Sequence, residues 1–194
     1  LFKKSHLRYD ITVIFSGLFG REFIKTIGHY HKKKLNRDYP EVYEVLSGEA
    51  SFLFQEAPDK KGDINKIYLV EAVKGEKVIV PPGFGHITIN PGLKVLLLAN
   101  IFADNVKSDY SFYKKHKGGA YYVLNPKSEI RYRRRRVPGG FNPKQTKIKK
   151  IQIFIEENPN YKKVGNIKIV APREIPKFKI SFKKPLYNSF VESP

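Results

Sequence analysis

The sequence predicts an all-β protein, a sandwich or barrel of short strands. Two observations predict it. Runs of β-branched and aromatic residues recur with turn signals between them every 8 to 12 residues. Apolar residues at helical spacing are not sustained over any useful length. The totals agree. Of 194 residues, 41% are hydrophobic and 13% aromatic, which suits one domain with a sizeable core, or one domain plus an extension. No apolar run approaches the ~18 residues of a membrane span, so no membrane partner is expected. The opening Leu1-Phe2-Lys3-Lys4-Ser5-His6 lacks the apolar stretch of a signal peptide. Residue 1 is Leu rather than Met, which leaves room for an earlier natural start. Cysteine is absent, which excludes disulfides and thiolate ligands but leaves the compartment open. Cytoplasm is the default.

Taken in order, residues 9–15 (Tyr-Asp-Ile-Thr-Val-Ile-Phe) form a β-prone run, closed by Gly17 and Gly20. Residues 22–27 lead as a strand into Gly28-His29-Tyr30-His31. The polar stretch 31–40 reads as an exposed loop ending at Pro40. Residues 41–46 and 49–55 flank Ser47-Gly48, which predicts a hairpin. Residues 57–65 are a second polar loop. Strands follow over 66–73, 77–80, 86–89 and 94–102, separated by Lys74-Gly75, Pro81-Pro82-Gly83 and Pro91-Gly92. Asn90 reads as a turn residue. Residues 109–117 predict a short helix stopped by Gly118-Gly119.

Beyond residue 122 the composition changes. Residues 125–194 carry 18 Lys and Arg against 5 Asp and Glu, net +13 of the chain's +19. Residues 131–136 read Arg-Tyr-Arg-Arg-Arg-Arg, and 147–156 predict a basic, alternating strand. We expect a barrel over 1–124 and a basic extended segment over 125–194. The segment would wrap the barrel or a second subunit, because Phe154, Tyr161, Phe178, Phe182, Tyr187 and Phe190 need burial. A positive field attracts anions such as sugar phosphates or nucleic acids. The arginine run alone reads as a solvated patch or a face for an acidic partner, so nucleic acid is not expected as the primary partner.

Three of the five histidines lie between Gly28 and Asn90. On a strand, residues two apart share a face, so His29 and His31 can reach one ion from one wall. Glu41 opens the β-prone run 41–46 and can end a neighbouring strand beside them. His86 follows Pro81-Pro82-Gly83 and opens Ile87-Thr88-Ile89. Three imidazoles and a carboxylate suit one divalent transition metal (Mn, Fe, Co, Ni or Zn) rather than Mg or Ca.

These residues carry a resemblance. Gly75-(five residues)-Pro81-x-Gly83-x-x-His86-x-x-x-Asn90 is similar to the second motif of the cupins. His29-x-His31 with Glu41-(six residues)-Gly48 is similar to the first, with a longer gap between His31 and Glu41. That gap, with Thr26-x-Gly28-His29-Tyr30-His31 and Pro40-Glu41-Val42-Tyr43-Glu44-Val45, resembles the cupin-type glucose-6-phosphate (phosphoglucose) isomerases known mainly from archaea. The likeness runs from about residue 9 to 110.

The resemblance implies a cupin barrel, a double-stranded β-helix or jelly roll. It implies one divalent metal (Fe, Mn, Ni or Zn) on His29, His31, Glu41 and His86, with Glu41 and His86 catalytic. Thr12, Thr26, Gly28, Tyr43 and Tyr110 match substrate-binding positions. Ser108 departs from the family, which has a histidine two residues before the matched tyrosine in its shorter members. The implied reaction interconverts glucose 6-phosphate and fructose 6-phosphate in glycolysis and gluconeogenesis. The alternatives are another metal-dependent cupin activity, such as a dioxygenase or a different sugar isomerase, and a nucleic-acid-binding protein. A homodimer is expected, since these cupins pair through their sheets and a sheet edge invites pairing.

Overall fold

A computed structural model describes residues 6–33, 38–125 and 153–175. The strands are β1 (Leu7–Ile14), β2 (Leu18–Phe19), β3 (Glu22–Phe23), β4 (Tyr30–His31), β5 (Glu41–Ser47), β6 (Glu49–Glu56) and β7 (Ile67–Val73). Then come β8 (Lys77–Val80), β9 (Phe84–Ile89), β10 (Leu96–Ala103), β11 (Ser108–Asp109), β12 (Tyr121–Leu124), β13 (Phe154–Glu157) and β14 (Ile167–Val170). Among the described residues one α-helix, α1 (Ser111–Lys115), interrupts them, and a single 3-10 turn (Pro172–Glu174) follows β14.

They assemble as an outer sheet β1-β10-β5-β8, a central sheet β14-β7-β6-β9, a small sheet β13-β12-β3-β2 and the ribbon β11-β4. Residue patterns explain the layering. In β5, Glu41, Tyr43 and Val45 are buried while their neighbours are partly exposed, the alternation of a sheet covered on one face. In β6, residues 50–55 are all buried, as a strand covered on both faces requires. One core lies between the outer and central sheets: Tyr43, Val45, Val78, Leu96 and Leu98 meet Phe52, Phe54, Tyr68 and Val70. A second core lies on the other face of the central sheet, where Leu53, Leu69, Ile87 and Ile89 meet Phe23, Tyr113, Val123 and Tyr161. Each large side chain buried this way stabilises the fold by roughly 1.5–3 kcal/mol. Phe52, touched by Tyr43 at 5.3 Å between centroids, is one whose truncation would cost several times a typical surface change.

The predicted strands are present with bounds shifted by a residue or two. The expected hairpin at Ser47-Gly48 is corrected. β5 pairs with β10 and β8, whereas β6 pairs with β7 and β9. Gly48, at φ +86° and with Val95 O 2.9 Å from where a Cβ would stand, carries the chain from one sheet to the other. Only glycine fits that conformation and that approach. The expected strand 22–27 is β3 followed by a looser edge that runs along β9 through a bridge from Lys25 to Ile89. The helix expected over 109–117 is the shorter α1, preceded by β11.

From the basic segment, residues 153–175 are tied to the barrel. β13 extends the small sheet through β12, and β14 lies parallel to β7 at the edge of the central sheet. Tyr161 is buried in the second core, with its hydroxyl donating to Gly118 O at 2.9 Å, whereas Phe154, also expected to be buried, stands exposed on β13. The arginine run 131–136, most of the strand expected over 147–156, and Phe178, Phe182, Tyr187 and Phe190 lie outside the described residues.

Candidate metal centre

Strand pairing brings the four motif residues together from three places in the chain. His29 and His86 form an antiparallel bridge. His29 N donates to His86 O at 3.2 Å, and His86 N donates to His29 O at 3.1 Å. Their rings stand 4.4 Å apart. His31, two residues on, lies in β4, with Phe102 of β10 4.6 Å from its ring. Glu41 enters at the start of β5, where it pairs with Val80. One ligand atom from each of His29, His31, Glu41 and His86 lies within 4.8 Å of every other.

The donor chemistry suits a metal ion. Glu41 Oε2 stands 3.1 Å from His31 Nε2 and 3.3 Å from His86 Nε2. Adjacent ligands of one ion, at bonds of about 2.0–2.2 Å, stand roughly 3 Å apart. His31 Nδ1 faces Tyr39 O at 3.0 Å, so its proton sits there and Nε2 turns a lone pair, or a second proton, to the carboxylate. Two acceptors this close need a cation between them or a proton to share. His29 is likewise hydrogen-bonded to the backbone of Ile27. Carbonyl partners of this kind fix the tautomer that presents the opposite nitrogen to a metal. His86 differs: its Nδ1 is buried with no hydrogen-bond partner among the described residues.

Electrostatics keeps the set in ligating form. Burial, and then neighbouring His86, pushes the His29 imidazole from its ordinary 6.5 to about 3, so it is neutral at physiological pH. Burial opposes the ionisation of Glu41, but hydrogen bonds from His31 and His86 outweigh it and hold the carboxyl below the ordinary carboxylate range. Burial, then the Glu41 charge, raises the Tyr43 phenol well above its ordinary value. Tyr43 therefore stays protonated, with its hydroxyl 3.1 Å from His86 Nε2.

The cluster borders a cavity of about 490 Å³. β1 contributes Arg8, Asp10 and Thr12, residues of one face by the two-residue period. Thr26 and His29 line the adjoining wall, and Ser108 and Tyr110 enter with β11. β11 is held there by pairing of Ser108 with His31 and Asp109 with Tyr30. Thus Thr12, Thr26, Tyr43 and Tyr110 share one cavity with His29, Glu41 and His86. Thr26 also has a structural task, since its Oγ1 accepts from Thr88 N at 3.0 Å. Gly28 is not among the lining residues. A Cβ there would stand 2.3 Å from the Tyr113 ring, so packing alone accounts for the glycine.

Sequence reasoning missed Asn100. It is buried in β10 and donates from Nδ2 to Glu41 Oε1 at 2.7 Å. The signal was there: one amide in Leu-Leu-Leu-Ala-Asn-Ile-Phe-Ala, inside a strand otherwise built for burial. Asn90, read as a turn residue, is a buried staple. It donates to Ile14 O and Lys94 O and accepts from Gly92 N.

A family model described as Glucose-6-phosphate isomerase (GPI) matches residues 1–138. The chain belongs to the glucose-6-phosphate isomerase family. Among its relatives, the glucose-6-phosphate isomerase of Thermococcus gammatolerans is 30% identical over 129 residues, 66% of this chain and 63% of that one. The enzyme of Pyrococcus furiosus is 31% identical over the same shares. That of Thermococcus litoralis is 34% identical over 108 residues, 56% and 52% of the two chains. The chain thus spans just under two thirds of the length of the glucose-6-phosphate isomerases it matches. Solved structures with some likeness include oxalate oxidase in complex with the substrate analogue glycolate (TM-score 0.43, 17% identity, 55% and 47% covered). A cupin-superfamily sugar phosphate isomerase from Silicibacter pomeroyi has a TM-score of 0.34 at 15% identity, with 50% of each chain covered. Among the described residues, no helix is long and apolar enough to cross a membrane.

Proposed function

We propose that this chain is a metal-dependent glucose-6-phosphate isomerase, interconverting glucose 6-phosphate and fructose 6-phosphate in the cytoplasm. The observation that carries the reading is the convergence of His29, His31, Glu41 and His86 beside a cavity that also holds Thr12, Thr26, Tyr43 and Tyr110. The four ligand candidates would hold one divalent ion of iron, manganese, nickel or zinc. Such an ion supplies a Lewis acid for the oxygens of an open-chain sugar.

The chain's own residues supply the rest. Isomerisation on the proton route moves a proton from C2 to C1 and needs a base. Glu41 is the candidate base, since it is ionised at neutral pH and Asn100 donates to its Oε1. Holding the ion and taking the proton are alternative tasks for this one carboxylate, so it would serve as base only when not engaged as a ligand. Tyr43, kept protonated beside Glu41 and His86, offers a hydroxyl donor to the oxygen on which charge develops. Thr12, Thr26 and Tyr110 offer hydroxyls along the cavity toward its mouth. A hydride shift between C1 and C2 is the rival route and needs no base.

A row of apolar side chains supports a homodimer. Tyr9, Ile101, Val42 and Ile79 are paired in register across all four strands of the outer sheet. Tyr9 is 47% and Ile79 41% exposed at its two ends. A second copy would cover this face, and sedimentation of an Ile79→Lys variant as a monomer beside a dimeric wild type would support it. The same reading assigns the site to a barrel over 1–124, braced by an extension from 125; the pairing of β13 and β14 with barrel strands supports the bracing.

The test is a coupled assay on metal-loaded protein, fructose 6-phosphate in and glucose 6-phosphate out, with and without EDTA. EDTA-sensitive turnover is expected. No turnover with any of the candidate metals bound would overturn the reading. Exchange of the C2 hydrogen with solvent favours the proton route, and complete retention rejects it.

A further inference from the structure

We propose that Arg8 is the anion anchor of the cavity, gripping the phosphate group of the substrate, and that Asp10 parks its guanidinium between turnovers. The identity of the anion rests on the isomerase reading; the placement rests on the cavity itself.

Arg8 is the only lysine or arginine among the described residues that line the cavity. Glu41 and Asp10 line it too. A phosphate dianion entering this space therefore meets two carboxylates, and Arg8 is the fixed cation available to offset them away from the metal centre. Ser108 and Tyr110 offer only neutral hydroxyls.

The strand sets the direction. Arg8, Asp10 and Thr12 share the inward face of β1, and Tyr9, Ile11 and Val13 face outward and are exposed. Arg8 lies opposite Phe102 in the β1–β10 register. Its guanidinium stands 5.2 Å from the Phe102 ring centroid, and the same ring stands 4.6 Å from that of His31. Phe102 thus spaces Arg8 from the metal centre by a single ring. A short sugar chain has the same layout, with its carbonyl at one end and its phosphate at the other.

The parking contact is easily exchanged. Arg8 Nε donates to Asp10 Oδ2 at 2.7 Å, with the two side chains 50% and 39% exposed. Ion pairs this exposed are weak. The pair engages one N–H, and a guanidinium carries four more in a planar fork that matches phosphate oxygens two at a time. The cation–π contact with Phe102, 5.2 Å from guanidinium carbon to ring centroid, keeps the group over that ring.

The experiment has two arms. Calorimetric titration with inorganic phosphate compares wild type with Arg8→Ala and Arg8→Lys, and requires no turnover. Kinetics on the metal-loaded proteins compare glucose 6-phosphate with unphosphorylated glucose. For Arg8→Ala we expect phosphate affinity to fall, and KM for glucose 6-phosphate to rise, roughly 10- to 100-fold. Its kcat should stay within a few-fold, and any turnover of glucose should be unaffected. Arg8→Lys should recover part of the loss. An Arg8→Ala protein that melts like wild type and keeps both phosphate affinity and KM would overturn the proposal and leave a surface pair beside Asp10. A wild type inactive on sugar phosphates would sink the isomerase reading alone, because the phosphate titration still decides Arg8.

Discussion

The floor and the mouth of the cavity are built differently. At the floor, Glu41, Tyr43, His86 and Asn100 are all buried. Glu41 touches His31, His86 and Asn100, and backbone bonds lock His29 to His86. At the mouth, Arg8 and Asp10 stand on an edge strand, half in water. A buried group cannot move without leaving another buried group unpaired, which costs about 1–3 kcal/mol. An exposed pair exchanges its partner for water at little cost. The floor is thus fixed for chemistry, and the mouth is free to answer whatever anion arrives.

Substitutions at the floor should hurt turnover far more than those at the mouth, and the order of effects tests the contrast. Glu41→Gln keeps the shape but removes both the base and the anionic ligand. Turnover should fall about 10²–10⁴-fold, with less metal retained by elemental analysis. An active Glu41→Gln enzyme would remove the base and favour the hydride route. Asn100→Ala leaves Glu41 Oε1 buried without its donor. Loss of a partner one step behind a ligand typically costs about 10- to 100-fold in activity or metal affinity. It should also lower unfolding stability by about 1–3 kcal/mol, read by denaturant titration.

Acid should find the floor first. The metal-free folded state holds His29 at about 3, against an ordinary 6.5. Below pH 6.5 the unfolded chain takes up a proton that the folded chain refuses. Stability should therefore be full above 6.5 and fall toward pH 3, by up to ~1.4 kcal/mol per pH unit from this one group. Glu41, whose carboxyl is held below its ordinary 4.5, adds to the loss once the pH drops under that value. Replacing His29 with Asn should flatten the slope between 6.5 and 4.5. An unchanged slope would mean that another group carries it.

The same contrast governs what could be read from the sequence. The ligand candidates were legible because a two-residue spacing and a proline-glycine turn are local marks. The long strands were legible because β-branched runs between turns are local too. Asn100 was not singled out, since its meaning depends on Glu41, 59 residues away. Ser47-Gly48 reads as a hairpin and is instead a sheet crossing, because a turn signal reports a change of direction and not which sheet receives the next strand. β11 and β4 are only two residues each and have no periodicity to detect. Arg8 reads as an ordinary surface charge until the register places it opposite Phe102.

The parallel pairing of β14 with β7 has a consequence for how the chain is made. Ile67 finds Ile167 as its partner, 100 residues later in synthesis. At ordinary translation speeds of about 5–20 residues per second, β7 waits several seconds with one edge bare. Bare edges recruit strands from other nascent chains. Slow ribosomes should therefore lower the soluble yield of this protein, and chaperones that shield strand edges should restore it.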